Sequence, residues 1–176
     1  AVAIEHPDSG VAQVALHRLL AHDDAEGGAQ RALTHLEALR PKIAGKRLEE
    51  AVMYQRARRL EALGRTEDAR DAYLNTAEKF PYPFGAYNDG AFFRAGEMEE
   101  KLGRPKEAIA VYERLLSQRE VSSFMGSYER PRYIPALLRI VKIHEEKLGD
   151  RASARAALHR LYAEFQTSTL RDDALW

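Results

Sequence analysis

The sequence predicts an all-α protein: an α-solenoid of about four stacked helix hairpins, which we expect to be right-handed. Three observations predict this fold. Ala, Leu, Arg and Glu dominate the composition, and all four are strong helix formers. Similar glycine-centred breaks recur along the chain, and the stretch after each break repeats one small-then-large apolar pattern. Together these features predict amphipathic helix pairs that share a core with their neighbours.

The breaks are three short segments that align with one another. They are Leu63-Gly64-Arg65, Leu102-Gly103-Arg104 and Leu148-Gly149-Asp150. Each follows one amphipathic stretch and precedes another. Glycine readily adopts the left-handed conformation that ends a helix, so each break predicts the turn of a helix hairpin.

The stretches after the breaks align on a small residue, and a further copy of the pattern lies nearer the start of the chain. The aligned alanines are Ala29, Ala69, Ala108 and Ala154. Large apolar residues follow four positions later at Leu33, Tyr73, Tyr112 and Leu158, and the positions three residues beyond these hold Leu36, Thr76, Leu115 and Leu161. Positions i, i+4 and i+7 share one helix face. The pattern therefore predicts close helix–helix packing beside the small residue.

The periodicity places two helices in each copy. First helices are predicted over 10–22, 48–63, 87–102 and 133–148, and second helices over 28–40, 66–79, 105–119 and 151–165. The repeats then cover approximately 8–41, 48–81, 87–119 and 133–166, within a single domain over 1–176. Residues 168–176 resemble the start of another first helix, so we expect this chain to be a fragment of a longer array. The alternative fold is a four-helix or irregular bundle with accidental similarity between the copies.

Two of the copies resemble the tetratricopeptide repeat (TPR). One carries Leu63-Gly64-Arg65, Glu67-Asp68-Ala69, Tyr73 and Pro81, and the other carries Gly103-Arg104, Glu107-Ala108, Tyr112 and Leu115. The spacing of the copies exceeds the family period of about 34 residues. The resemblance implies a protein–protein interaction scaffold that binds a peptide or partner protein and is not an enzyme.

The segments between copies suggest a location. Ile4-Glu5-His6-Pro7-Asp8-Ser9, Phe80-Pro81-Tyr82-Pro83 and Phe165-Gln166-Thr167-Ser168 resemble a linker common in TPR proteins of the bacterial envelope. The resemblance implies the periplasm or cell envelope, in an assembly or secretion complex.

Composition argues against several other functions. The net charge is zero, with 27 basic and 27 acidic residues, so we expect no general nucleic-acid binding. There is no cysteine and no apolar run long enough for a membrane span. No catalytic or phosphate-binding motif is recognisable, so we expect no cofactor and no metal. His22-Asp23-Asp24, near His17, is interpreted as a solvated helix end in preference to a metal site.

The TPR resemblance implies that the first helices line a concave groove. The residues predicted to face it are Val14, Arg18, Tyr54, Arg58, Phe93, Glu97, Arg139 and Ile143. The alternative is that they are ordinary surface residues or, for Phe93, part of the core. Two loops add candidate aromatic residues, or else pack on adjacent helices: Tyr82, Phe84, Tyr87, Phe124 and Tyr128. The main alternative function is a self-assembling repeat module that forms homo-oligomers; single-strand nucleic-acid binding and catalysis rank below it.

Overall fold

A computed structural model describes residues 2–118 and 131–165. Within these ranges the regular structure is helical and contains no strand. The helices are α1 (Val2–Glu5), α2 (Gly10–Leu39), α3 (Glu49–Ala62), α4 (Thr66–Lys79), α5 (Asn88–Lys101), α6 (Pro105–Leu116), α7 (Tyr133–Ile143) and α8 (Arg151–Glu164). A 3-10 turn (Arg40–Lys42) follows α2, and a π-helix (His144–Leu148) extends α7. The prediction of an all-α repeat of helix hairpins is confirmed.

The chain divides into two compact units, residues 1–91 and 92–176. In the first unit α3 packs against α2 and α4, and in the second α7 packs against α6 and α8. The handedness of the solenoid, the repeat ranges and the single domain over 1–176 stay predictions. The helix expected at 168–176 lies outside the described residues.

The predicted glycine turns are present. Gly64 and Gly103 both have a φ of 71°, and Gly149 has a φ of 64°. After Gly64, the backbone N–H of Arg65 donates to the carbonyl of Leu60 at 3.0 Å. This bond caps the last turn of α3. It requires Gly64 to lie in the left-handed region, where a residue with a side chain would be strained.

The first hairpin differs from its predicted form. Helix α2 continues through residues 23–27 and departs from helical geometry only at Gly28, with φ 65° and ψ −167°. The carboxylate of Asp23 is fully buried, and it accepts from Arg31 Nε at 3.2 Å and lies 2.6 Å from His35 Nδ1. The interpretation of this segment as a solvated helix end is therefore wrong for Asp23, which ties the two halves of α2 together.

The small residue of the first copy also lies elsewhere than predicted. Ala69, Ala108 and Ala154 are buried, but Ala29 is only half-buried. Because helical geometry resumes directly after Gly28, Ala29 falls in the first turn of the second half. Ala32 is fully buried in its place and is followed by the buried residues Leu36 and Leu39.

A glycine–tyrosine contact shows why small residues are needed where the two helices of a hairpin pack together. We call this line of packing the seam. Gly96 on α5 lies against the ring of Tyr112 on α6, and a methyl group at Gly96 would overlap that ring. Phe93 packs on the same ring, with the ring centroids 5.7 Å apart. The Tyr112 side chain is fully buried. The absence of a side chain at Gly96 thus allows a large aromatic residue to fill the space between two helices.

We expect Gly96→Ala to destabilise the protein by about 1–3 kcal/mol, because the added methyl group must displace Tyr112 from a close-packed site. The measurement is the free energy of unfolding by urea. Gly10→Ala is the matched control, since a methyl group there meets nothing within 4 Å. Equal effects of the two substitutions would contradict this account of the seam.

Candidate functional site

A tyrosine–glutamate hydrogen bond recurs in two copies. Tyr73 Oη donates to Glu61 Oε2 at 2.8 Å, and Tyr112 Oη donates to Glu100 Oε1 at 2.6 Å. Each glutamate precedes its tyrosine by 12 residues. In both cases the bond therefore joins the second helix of a hairpin to the end of its first helix. Burial and the neighbouring Glu100 carboxylate raise the pKa of Tyr112, so the hydroxyl stays a donor.

In the second unit this bond is part of a larger charged network. Arg139 on α7 donates through Nη2 to Glu97 Oε1 at 2.9 Å, and its Nη1 lies 3.6 Å from Glu100 Oε2. Arg94 also donates to Glu97, at 3.0 Å. Burial by itself lowers the pKa of Arg139, but the hydrogen bond to Glu97 and the charge of Glu100 outweigh it and raise the pKa. The guanidinium is thus held in place between two carboxylates of α5.

This network forms part of the wall of a cavity of about 600 Å³ in the second unit. The cavity opens beside α5, α7 and the π-helix. Its charged lining residues are Arg94, Glu97, Glu100, Lys101, Arg139, Lys142, Glu146 and Lys147. Five of these are basic and three acidic, so the lining carries a positive surplus in a chain whose net charge is zero. The volume is within the range of small-molecule sites.

The π-helix changes which residues of α7 are exposed. Phe92 and Leu138 each lie 11 residues before a hairpin glycine, Gly103 and Gly149 respectively. Phe92 is buried, but Leu138 is 36% exposed and its neighbour Leu137 is fully buried instead. A π-turn adds one residue to the helix, so the preceding positions shift by one.

This shift corrects the placement of Ile143, which an alignment without gaps puts on the groove face. Ile143 is only 1% exposed and belongs to the core, although it borders the cavity. With this shift of one residue, the positions that align with Phe93 and Glu97 are Leu138 and Lys142, and both are exposed. Phe93 itself is buried against Tyr112, which is the core contact considered as its alternative. Glu97 and Arg139 are the two predicted residues that meet in the cavity wall.

In the first unit the predicted groove residues have separate surroundings. Val14 and Arg18 are exposed on α2. Arg58 lines a second cavity, also of about 600 Å³, beside Arg59 and Asp24. Tyr54 is half-buried in an aromatic cluster with Tyr73 and Tyr87. The role of these residues in binding a partner stays a prediction.

The aromatic residues of the loop after α4 are placed in different ways. Phe84 is 91% exposed, whereas Tyr82 and Tyr87 are half-buried. The Tyr87 ring stacks on Tyr54 with centroids 4.7 Å apart. The corresponding candidates of the later loop, Phe124 and Tyr128, lie outside the described residues.

In the ranges 2–118 and 131–165, no group of three or more His, Asp or Glu side chains is arranged to hold a metal ion. No helix in this part of the chain combines the length and apolar character needed to cross a bilayer.

Sequence reasoning missed several members of the cavity lining. Arg94, Glu100 and Lys101 lie three or four residues from Glu97 on α5 and so share its helix face. Extending the predicted face by one turn in each direction would have found them. Lys142 could not be found in this way, because the π-helix that moves it into place leaves no recognisable pattern in the sequence.

Two segments of the chain match one known family. Residues 91–119 and 135–168 match the family model described as Tetratricopeptide repeat. No curated protein and no solved structure matched the chain. The two matches support tetratricopeptide-like repeats in these segments, and repeats of this kind generally mediate protein–protein interactions and typically form non-catalytic scaffolds.

We expect Tyr112→Phe to cost about 1.5–3 kcal/mol, because it removes a hydrogen bond to a charged acceptor in the hairpin that carries Arg139. Urea unfolding measures the loss. Glu107→Gln, on an exposed position of α6, is the control and should stay within about 0.5 kcal/mol of the wild type. A Tyr112→Phe protein as stable as this control would show that the bond to Glu100 contributes nothing.

Proposed function

We propose that this protein is a protein–protein interaction scaffold and that the cavity of its second unit binds a segment of the partner. The observation that carries the proposal is the cavity itself. It combines about 600 Å³ of space with charged side chains on a helical framework that resembles the tetratricopeptide repeat. Of the residues expected in the groove, Glu97 and Arg139 contribute to this site and Ile143 borders it.

The chemistry of the cavity favours a partner segment that carries carboxylates. Arg139 is already positioned by Glu97 and Glu100, so little side-chain entropy is lost when it meets a ligand. Lys142 and Lys147 are exposed at the same cavity and add positive charge. Charge complementarity of this kind contributes to specificity and to the rate of association.

The test uses peptides selected against the protein from a random phage-displayed library. We expect Lys142→Glu to weaken the binding of peptides that occupy this cavity by about tenfold, since it reverses a charge at the opening. Lys106→Glu is the matched control: Lys106 is exposed on α6 outside the cavity lining, and the change in net charge is the same. Failure to select any peptide, or equal binding by the two variants, would contradict the proposal.

Self-association is the second candidate function, and one observation favours it. Ile4, Val11 and Val14 are 42%, 63% and 51% exposed, so the start of the first unit presents apolar side chains to solvent. A second copy of the chain could cover them. Light scattering on the samples used for peptide binding distinguishes the two functions: a mass that rises with concentration supports self-association, and a constant monomer mass opposes it.

We further propose a place in a cell-envelope assembly or secretion complex of a bacterium. The support is the resemblance of the segments at Ile4–Ser9, Phe80–Pro83 and Phe165–Ser168 to linkers of envelope TPR proteins. Fractionation of cells that produce the natural protein tests this. Recovery with the periplasmic or membrane fraction is expected, and recovery with the cytoplasmic marker would refute the location.

A further inference from the structure

A second, smaller cleft lies in the first unit, away from the residues assigned to the charged cavity. It has a volume of about 240 Å³ and is formed where the starts of α2 and α3 meet the loop between α4 and α5. We call it the aromatic cleft. The lining residues that matter for the argument are Pro7, Gln13, Arg47, Glu50, Phe84 and Tyr87.

The loop at this cleft is held in one conformation. Both carboxylate oxygens of Glu50 accept backbone N–H groups, from Ala86 at 3.1 Å and from Tyr87 at 2.7 Å. Asn88 Nδ2 donates to the carbonyl of Phe80 at 3.1 Å, where the loop leaves α4. The entropy of ordering this backbone is therefore lost during folding and need not be lost again on binding.

The ordered loop presents a phenyl ring to solvent. The N–H groups of Phe84 and Gly85 both donate to the carbonyl of Pro81, at 3.1 and 3.0 Å, and close a turn. Gly85 is buried against Phe80, and a methyl group there would overlap the Phe80 carbonyl oxygen. Phe84 is nevertheless 91% exposed. A large aromatic side chain on a fixed backbone is the kind of residue that contributes most of the energy of a binding interface.

Donors outnumber acceptors among the side-chain groups left available in the aromatic cleft, where the Gln13 amide oxygen is the acceptor. Gln13 Nε2 donates to Tyr87 Oη at 2.7 Å, which leaves the second Gln13 N–H and the Tyr87 O–H without an acceptor among the described residues. The Arg47 side chain is exposed and is in no ion pair within the part of the chain that the structure describes. Glu50, the acidic residue of the lining, already accepts from the loop backbone with both oxygens.

We propose that the aromatic cleft binds an extended, proline-rich segment of a partner protein. A polyproline II helix has no internal hydrogen bonds, so its carbonyl groups need donors from the partner. Proline has no N–H, so such a segment needs no acceptor in return. The rings of Phe84 and Tyr87 offer flat apolar surfaces for pyrrolidine rings, as in other grooves that recognise this conformation.

This inference is independent of the charged cavity in the second unit. The aromatic cleft uses residues of the first unit, and its ligand is defined by carbonyl groups and proline rings, not by carboxylates. Peptide binding that is lost with Phe84→Ala but kept with Lys142→Glu belongs to the aromatic cleft. The opposite pattern belongs to the charged cavity, so failure of one proposal can be distinguished from failure of the other.

The experiment measures fluorescence anisotropy of a labelled peptide of about ten prolines titrated with the whole 176-residue chain. We expect saturable binding that Phe84→Ala weakens by about tenfold or more. Tyr87→Phe keeps the ring on Tyr54 and removes only the hydroxyl, so we expect a loss of about threefold to tenfold. Because Phe84 is exposed, its variant should keep the melting temperature of the wild type.

Two controls match these variants. Leu138→Ala removes another exposed apolar side chain, in the second unit, and should change the dissociation constant by less than about twofold. A peptide of the same length in which every second proline is alanine should bind more weakly, since alanine restores N–H groups and loses the rigid rings. The proposal is overturned if the proline peptide does not bind, if the alanine-containing peptide binds equally well, or if Phe84→Ala leaves the dissociation constant unchanged.

Discussion

The packing of a large side chain against a very small one underlies the hairpin of α5 and α6. Where Gly96 has no side chain, the ring of Tyr112 lies directly on the neighbouring helix. Because that ring is fixed, its hydroxyl reaches Glu100 at the end of the first helix, and Glu100 in turn lies beside Arg139. The charged wall of the cavity thus depends on an apolar contact below the surface.

The two candidate sites differ in chemistry because their charged side chains have different partners. In the second unit, paired charges hold Arg139 in place and leave a basic surplus around an open space. In the first unit, Glu50 uses its carboxylate to fix a loop backbone, so the cleft beside it offers donors and the ring of Phe84. In both sites hydrogen bonds within the chain hold the groups that would meet a ligand.

The two faces of the helices were not equally predictable. Buried positions recur with the helical period, so the core could be recognised from apolar residues alone. Surface positions are predicted from the same helical period. A single residue inserted into the helix therefore moves them to another face. The π-helix at His144–Leu148 has this effect: Ile143 lies in the core and Lys142 faces the cavity. Glu97, on a helix without such an interruption, lies in the cavity wall, and its part in binding a partner stays a prediction.

The sequence by itself determined the helical class, the glycine turns and the small-then-large seam, because these follow from local backbone preferences and a short period along the chain. Only the tertiary structure decided that Ala32 replaces Ala29 in the first seam, that Arg139 meets carboxylates some 40 residues away, and that Glu50 fixes a distant loop. Those arrangements depend on contacts between residues far apart in sequence, and no local pattern specifies which distant partners will meet.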